Sequence, residues 1–172
     1  INMWLVFGGS WGATLALVYA ERYPERCLGI ILRGVFMGRE KELNWFLHGI
    51  RNVYPEAWQL FVNFLPAAER DDIASAYYRR LKNEDPKVHG PAAAAWNHYE
   101  TQCSTLRHKP IRPVVGNGLG TLALARLEAH YFVNRVFLEE GEILANLDKI
   151  AGIPTAIIQG RYDMICPMIT AN

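Results

Sequence analysis

Gly8-Gly9-Ser10-Trp11-Gly12 follows the apolar run Trp4-Leu5-Val6-Phe7 and precedes a segment of small and apolar residues at helical spacing, Ala13, Leu15, Ala16, Leu17 and Ala20. Strand, Gly-x-Ser-x-Gly and helix in that order make a nucleophile elbow, a turn sharp enough to lift a serine hydroxyl clear of its neighbours. Such a hydroxyl attacks carbonyl carbon once a base takes its proton. The turn demands a strained backbone at Ser10, and Gly8 and Gly12 are expected to supply the missing side chains that the close packing requires. The helix start directs N–H groups at the reaction centre, and the N–H of Trp11 is the expected oxyanion donor. The competing reading is a glycine-rich turn with Ser10 as an ordinary helix N-cap.

A second candidate lies far along the chain. Thr155-Ala-Ile-Ile-Gln159 is a β-rich apolar run, and Gly160-Arg-Tyr-Asp163 follows it. A carboxylate at the carboxyl end of a strand is placed to hold a histidine in one tautomer and to stabilise its cation. Asp163 is therefore the expected triad acid, with a surface turn aspartate as the alternative. All five histidines (His48, His89, His98, His108 and His130) precede Asp163, whereas the chain order for this kind of site is serine, acid, histidine. Ile1 and Asn172 both read as interior positions of a longer chain. The expectation is thus a fragment truncated at both ends and inactive alone, with the base beyond Asn172 and the second oxyanion donor before Ile1.

The elements that must position these residues fall into three zones. Residues 1–33 read as strand, helix and strand: near Trp4 to Phe7, from about Trp11 to Arg22 with Pro24 as a stop, and near Leu28 to Leu32. Both strands are almost continuous apolar runs, as in parallel sheets covered on both faces. Residues 34–140 read as mostly helical, over Glu40 to Arg51, from Pro55 to Leu65, Pro66 to Leu81, Pro91 to Cys103 and Leu119 to Asn134. Between the last two, His108 to Gly120 has a loop composition, and its Gly116-Asn-Gly-Leu-Gly follows no strand, which removes a nucleotide-loop reading. Residues 141–172 return to sheet after a short helix from Ile143 to Ile150. The expected fold class is α/β, a mostly parallel sheet with an inserted helical cap domain.

Composition narrows the function. Half of the 172 residues are apolar and the net charge is +1, with no basic run, so neither nucleic acid nor a membrane surface is an expected partner. No apolar stretch reaches transmembrane length. Cys27, Cys103 and Cys166 form no Cys-x-x-Cys pair, and no His-Glu-x-x-His occurs, so no metal site is expected; the cysteine usage suits a reducing, cytoplasmic setting.

The segments Trp4-Leu-Val-Phe-Gly-Gly-Ser-Trp-Gly-Ala-Thr-Leu-Ala-Leu17, Tyr23-Pro-Glu-Arg26, Ile31-Leu-Arg-Gly-Val-Phe36, Glu42-Leu-Asn-Trp-Phe46, Ala125-Arg-Leu-Glu-Ala-His-Tyr-Phe-Val-Asn134 and Gly160-Arg-Tyr-Asp-Met-Ile-Cys-Pro167 resemble the prolyl aminopeptidases (proline iminopeptidases), serine peptidases of the α/β-hydrolase superfamily. The resemblance implies a partial α/β-hydrolase core, release of N-terminal proline from small peptides, no cofactor, Ser10 as nucleophile and Asp163 as triad acid. It also implies cap glutamates that bind the substrate's ammonium. Glu100 and Glu128 are the matches, and the alternative for each is a structural ion pair with Arg126 or Arg33. Phe36 and Phe46, with Trp11, are candidates for an apolar slot around the proline ring, or for plain core. Arg33, at the end of the second strand, is a candidate to orient a glutamate. Another serine hydrolase of the same fold, an esterase or a carbon–carbon hydrolase, and a non-catalytic relative are the competing functions.

Overall fold

The computed structural model describes residues 1–106 and 119–172; the expected loop from His108 lies largely outside them. The chain forms two compact units. One comprises Ile1–Glu42 and Leu138–Asn172, and the other is the continuous segment Leu43–Phe137 between them.

The first unit holds a three-stranded parallel sheet, β1 (Trp4–Ser10), β2 (Cys27–Val35) and β3 (Thr155–Ile158), in the order β1-β2-β3. This is the expected α/β class. β2 is central, so its Ile30, Leu32 and Val35 are buried, while Leu5 and Phe7 on β1 are 58% and 67% exposed. Helix α1 (Trp11–Arg22) runs directly out of β1. Its Ala13, Ala16, Leu17 and Ala20 form one buried stripe against Ile30, Leu32 and Val35, with Ile143 and Ile150 completing the core. Small residues on that stripe let the helix axis approach the sheet.

That approach explains Gly8. A Cβ there would collide with the Gly12 carbonyl and lie 2.9 Å from the Ala16 Cβ. Gly12 differs from expectation: a Cβ at that position would meet nothing within 4 Å. The close contact is between the backbone of Gly12 and the missing side chain of Gly8, so only one of the two glycines is sterically required.

Helix α2 (Glu40–Leu47) begins in the first unit and ends in the second, which also contains α3 (Pro55–Asn63), α4 (Ile73–Lys82), α5 (Pro86–Cys103) and α6 (Leu119–Val133). A short helix α7 (Glu142–Ala145) and a 3-10 turn (Leu147–Ile150) lead back towards β3. The second unit is organised by stacked rings. Phe61 lies between Tyr77 and Tyr99 with centroid separations of 4.5 and 4.2 Å, and Trp96 meets Phe61 and Tyr77 edge-on. Helix α5 starts earlier than expected. Asp85 caps it, accepting from the Lys87 N–H at 2.9 Å, with Pro86 in the first turn and Pro91 inside. Pro86 holds the position that favours proline, whereas Pro91 lies inside the helix, where its missing N–H forgoes the bond to the Lys87 carbonyl. Among the described residues, no helix is long and apolar enough to cross a membrane.

Candidate active site

In the first unit, the strand ends assemble Ser10, Asp163 and their supports. Ser10 has φ 55° and ψ −123°, a positive φ that a non-glycine residue adopts only when its surroundings enforce it. Two constraints act there. The peptide must turn from strand to helix within one residue, and the absence of a Gly8 side chain lets α1 fold back at once. The Ser10 side chain makes no capping hydrogen bond to α1, so its hydroxyl is not occupied as an N-cap. Trp11 is the first residue of α1, so its N–H belongs to the first turn, where no intrahelical acceptor exists.

Opposite this turn, β2 carries an irregularity. Gly9 pairs with Arg33 and Ser10 with Val35, which leaves Gly34 as an extra residue at φ +57°. A Cβ on Gly34 would stand 3.3 Å from Asp163 Oδ2. Glycine therefore provides both the backbone conformation and the room for the carboxylate. Asp163 Oδ1 accepts from the backbone N–H groups of Ile165 (3.1 Å) and Cys166 (2.8 Å). Oδ2 has no hydrogen-bond partner among the described residues and is the oxygen available to hold a further donor. The Asp163 loop thus brings Cys166 beside the serine, with Sγ 4.0 Å from Ser10 Oγ.

Cys166 is no rival nucleophile. Burial, and then the charge of Asp163, push its thiol up to about 12, so it stays protonated at neutral pH. Burial raises the thiols of Cys27 and Cys103 as well.

Gln159 is a support that sequence reasoning did not single out. Its Oε1 accepts from the Val35 N–H at 2.9 Å, and its Nε2 donates to the Cys166 carbonyl at 2.6 Å. One side chain therefore ties the end of β2 to the Asp163 loop. The available signal was a polar residue closing an apolar strand. Arg33 lays its guanidinium over Gly9, where a Cβ would be 2.7 Å from Nη2, and it forms no ion pair among the described residues. Phe36 follows β2, and its carbonyl accepts from the buried Thr14 hydroxyl at 2.6 Å. The next residues are pinned by Glu42, whose carboxylate accepts from the N–H groups of Met37 and Arg39 and pairs with Arg39 Nε at 2.9 Å.

In the second unit, Glu100 on α5 and Glu128 on α6 are brought together closely enough for each carboxyl to influence the other's ionisation. Two carboxylates so placed disfavour each other's ionisation. Burial raises both carboxyls above the ordinary range, and for Glu128 the neighbouring charge of Glu100 adds to it. Trp96, fully buried, donates its Nε1–H to Glu128 Oε2 at 2.7 Å. The proposed arginine partner is elsewhere: Arg126 turns to the backbone carbonyls of Leu81 and Asn83. Within this unit, no ion pair among the described residues involves either glutamate. Phe46 is 5% exposed and packs against Trp96, Tyr99 and Phe132, with centroids 5.9, 5.3 and 5.3 Å away; its carbonyl accepts from the Tyr99 hydroxyl. Among the described residues, no group of His, Cys, Asp and Glu could hold a metal ion.

Comparison with known proteins gives a consistent picture. Residues 2–172 match the family described as alpha/beta hydrolase fold. A probable proline iminopeptidase of Leptolyngbya boryana is 47% identical over 174 residues, covering 99% of this chain and 54% of that protein. Proline iminopeptidases of Arabidopsis thaliana and Xylella fastidiosa (strain 9a5c) are 43% and 44% identical, again over 99% of this chain, and over 46% and 56% of their own lengths. The chain spans about half the length of these curated relatives.

Proposed function

The chain belongs to the alpha/beta hydrolase fold family, and from that premise we propose that it carries the nucleophile and the substrate-amine site of a serine aminopeptidase that releases proline from the N-terminus of peptides. Ser10 Oγ attacks the carbonyl carbon of the leading proline, and the Trp11 N–H stabilises the oxyanion that forms. Collapse of the tetrahedral intermediate expels the amine of the shortened peptide and leaves a prolyl ester on Ser10, which water hydrolyses. Asp163 Oδ2 orients the histidine that moves the proton. No histidine follows Asp163 in the 172 residues, so the mechanism takes the base, like the second oxyanion donor, from the remaining length that the relatives represent.

The observation that carries this assignment, rather than an esterase or a carbon–carbon hydrolase, is the buried Glu100–Glu128 pair. A buried carboxyl pair with no cationic partner among the described residues is costly unless a cation arrives. The secondary ammonium of an N-terminal proline supplies one charge and two N–H donors. Trp96 fixes one oxygen of Glu128 and so leaves the pair's remaining oxygens to the amine. Phe36 and Phe46 remain candidates for the apolar walls and Arg33 for a charged support. The relatives named proline iminopeptidase support the same substrate class, and the three free, buried cysteines suit a cytoplasmic setting.

The test is kinetic, in the full-length protein. Glu100→Gln and Glu128→Gln are each expected to raise KM for a proline arylamide by about 100-fold while the variants stay folded, since each removes a charge-assisted contact to the amine. In the parent enzyme, 1/KM should climb with pH through the neutral range, because burial raises both carboxyls and they must ionise to accept an ammonium. Equal turnover of the arylamide by both variants, together with efficient cleavage of esters lacking an amine, would make this an ordinary esterase.

A further inference from the structure

We propose that the helical unit contains a second, independent site: a cleft on α3 that receives the oxyanion group of a small anionic molecule, a carboxylate or a phosphate. The cleft is about 600 Å³, within the range of small-molecule sites. Its walls include Arg51, Arg70, His48, Trp58, Gln59 and Asn63, all within one compact unit.

Neither arginine is ion-paired among the described residues, and each is held in place by other means. The Arg51 guanidinium sits over the Trp58 ring, 5.4 Å from its centroid. The ring cannot swing away, because the indole N–H donates to the Leu47 carbonyl at 2.8 Å. Arg70 uses its Nε on the Leu65 carbonyl at 3.0 Å, which anchors the side chain by one donor and leaves both terminal nitrogens. A guanidinium anchored by stacking or by one N–H keeps its remaining fork for a planar or tetrahedral oxyanion. Gln59 and Asn63 are four residues apart on α3 and so share one helix face, where their amides add neutral donors. Burial and then the Arg51 charge lower His48, and its ring N–H is a further neutral donor at the cleft wall.

One lining carboxylate, Asp71, opposes the assignment and sets its strength. Two guanidinium charges against one carboxylate leave a single net positive charge, so the site binds a small anion in the millimolar range rather than a polyanion. It shares no residue with the Glu100–Glu128 pair or with the Ser10 centre, and it stands or falls apart from the peptidase assignment.

Isothermal titration of the protein with inorganic phosphate and with glutarate, at constant ionic strength, tests it. Saturable binding of at least one of them is expected. Arg51→Gln and Arg70→Gln should each weaken it tenfold or more, and Asp71→Asn should tighten it severalfold. Thermal unfolding of each variant checks that the helical unit is intact; if an arginine variant is unfolded, Asn63→Ala takes its place, with a several-fold loss expected. Tighter phosphate identifies a phosphorylated ligand, and tighter glutarate a carboxylate. No saturation by either up to about 50 mM, or binding that every folded variant retains, would mean an adventitious ion only and would overturn the proposal.

Discussion

The two units hold their chemistry by opposite means. At the strand ends of the first unit, position comes from the backbone: a serine at φ 55°, a glycine at φ +57° opposite it, and a glycine whose missing Cβ admits a helix. In the helical unit, position comes from side-chain packing. Tyr77 and Tyr99 donate their hydroxyls to backbone carbonyls within the ring cluster, and Trp96 donates to Glu128. Backbone geometry can place one atom through local conformation alone. Burying a pair of carboxyls requires a closed apolar surround, which the ring cluster provides. The Ser10 turn should therefore tolerate changes in packing and fail with changes in backbone or hydroxyl, and the carboxyl pair should do the reverse.

The largest effect expected is on the hydroxyl. Ser10→Ala should lower kcat/KM for a proline arylamide by about 10⁴-fold or more, the usual scale for loss of a nucleophile, with thermal stability unchanged because the side chain caps nothing. Ser10→Gly should be equally inactive and about 1 kcal/mol more stable, since glycine relieves the positive φ. A stable, inactive Ser10→Gly with a matching melting gain would show that strain is stored at this turn. Equal stability of Ser10→Ala and Ser10→Gly would remove the strain from the account.

The next effect separates two glycines of one motif. Gly8→Ala forces a Cβ into the Gly12 carbonyl and the Ala16 Cβ and should cost about 3 kcal/mol or more, as overpacking against backbone does. Gly12→Ala meets nothing within 4 Å and lies in a helix, so it should be neutral or stabilising by up to about 1 kcal/mol. Urea denaturation of the two variants measures the contrast. Similar costs for both would mean that the motif requires glycine for flexibility rather than for clearance.

The contrast between the units also explains what could be read from the sequence. The elbow was legible because a strand, a tight turn and a small-residue helix leave a local signature, and α1 runs from Trp11 to Arg22 as its periodicity indicates. The start of α5 was misread because Pro91 looks like a first-turn proline, while Asp85 and Pro86 had already begun the helix. Gly34's bulge and the bridge made by Gln159 were illegible. Both depend on which strands lie side by side, and no spacing along the chain records it. Glu100 and Glu128 sit on different helices, so only the family resemblance pointed to them. That Trp96 holds Glu128 followed from packing alone.

The smallest expected effect concerns a polar atom in the first unit that packing does not satisfy. Glu21, on the last turn of α1, is 8% exposed, and its Oε1 has no hydrogen-bond partner among the described residues. Burial raises its carboxyl to about 7; Lys149 and Arg22 pull it down, and Glu142 and Asp148 push it up. A carboxyl raised in the folded state binds its proton there when the unfolded chain has released it. Stability from this group is therefore complete below about pH 4.5 and is lost as pH rises through about 7. Glu21→Gln keeps the shape and cannot ionise, so it should be more stable than the parent at pH 8 and close to it at pH 4.5. The raised Glu100–Glu128 pair contributes a slope of the same sign, which the comparison of parent and variant cancels. Parallel stability-versus-pH curves for the two proteins would show that Glu21 is solvated as it ionises, and that the first unit pays nothing for the unmatched atom.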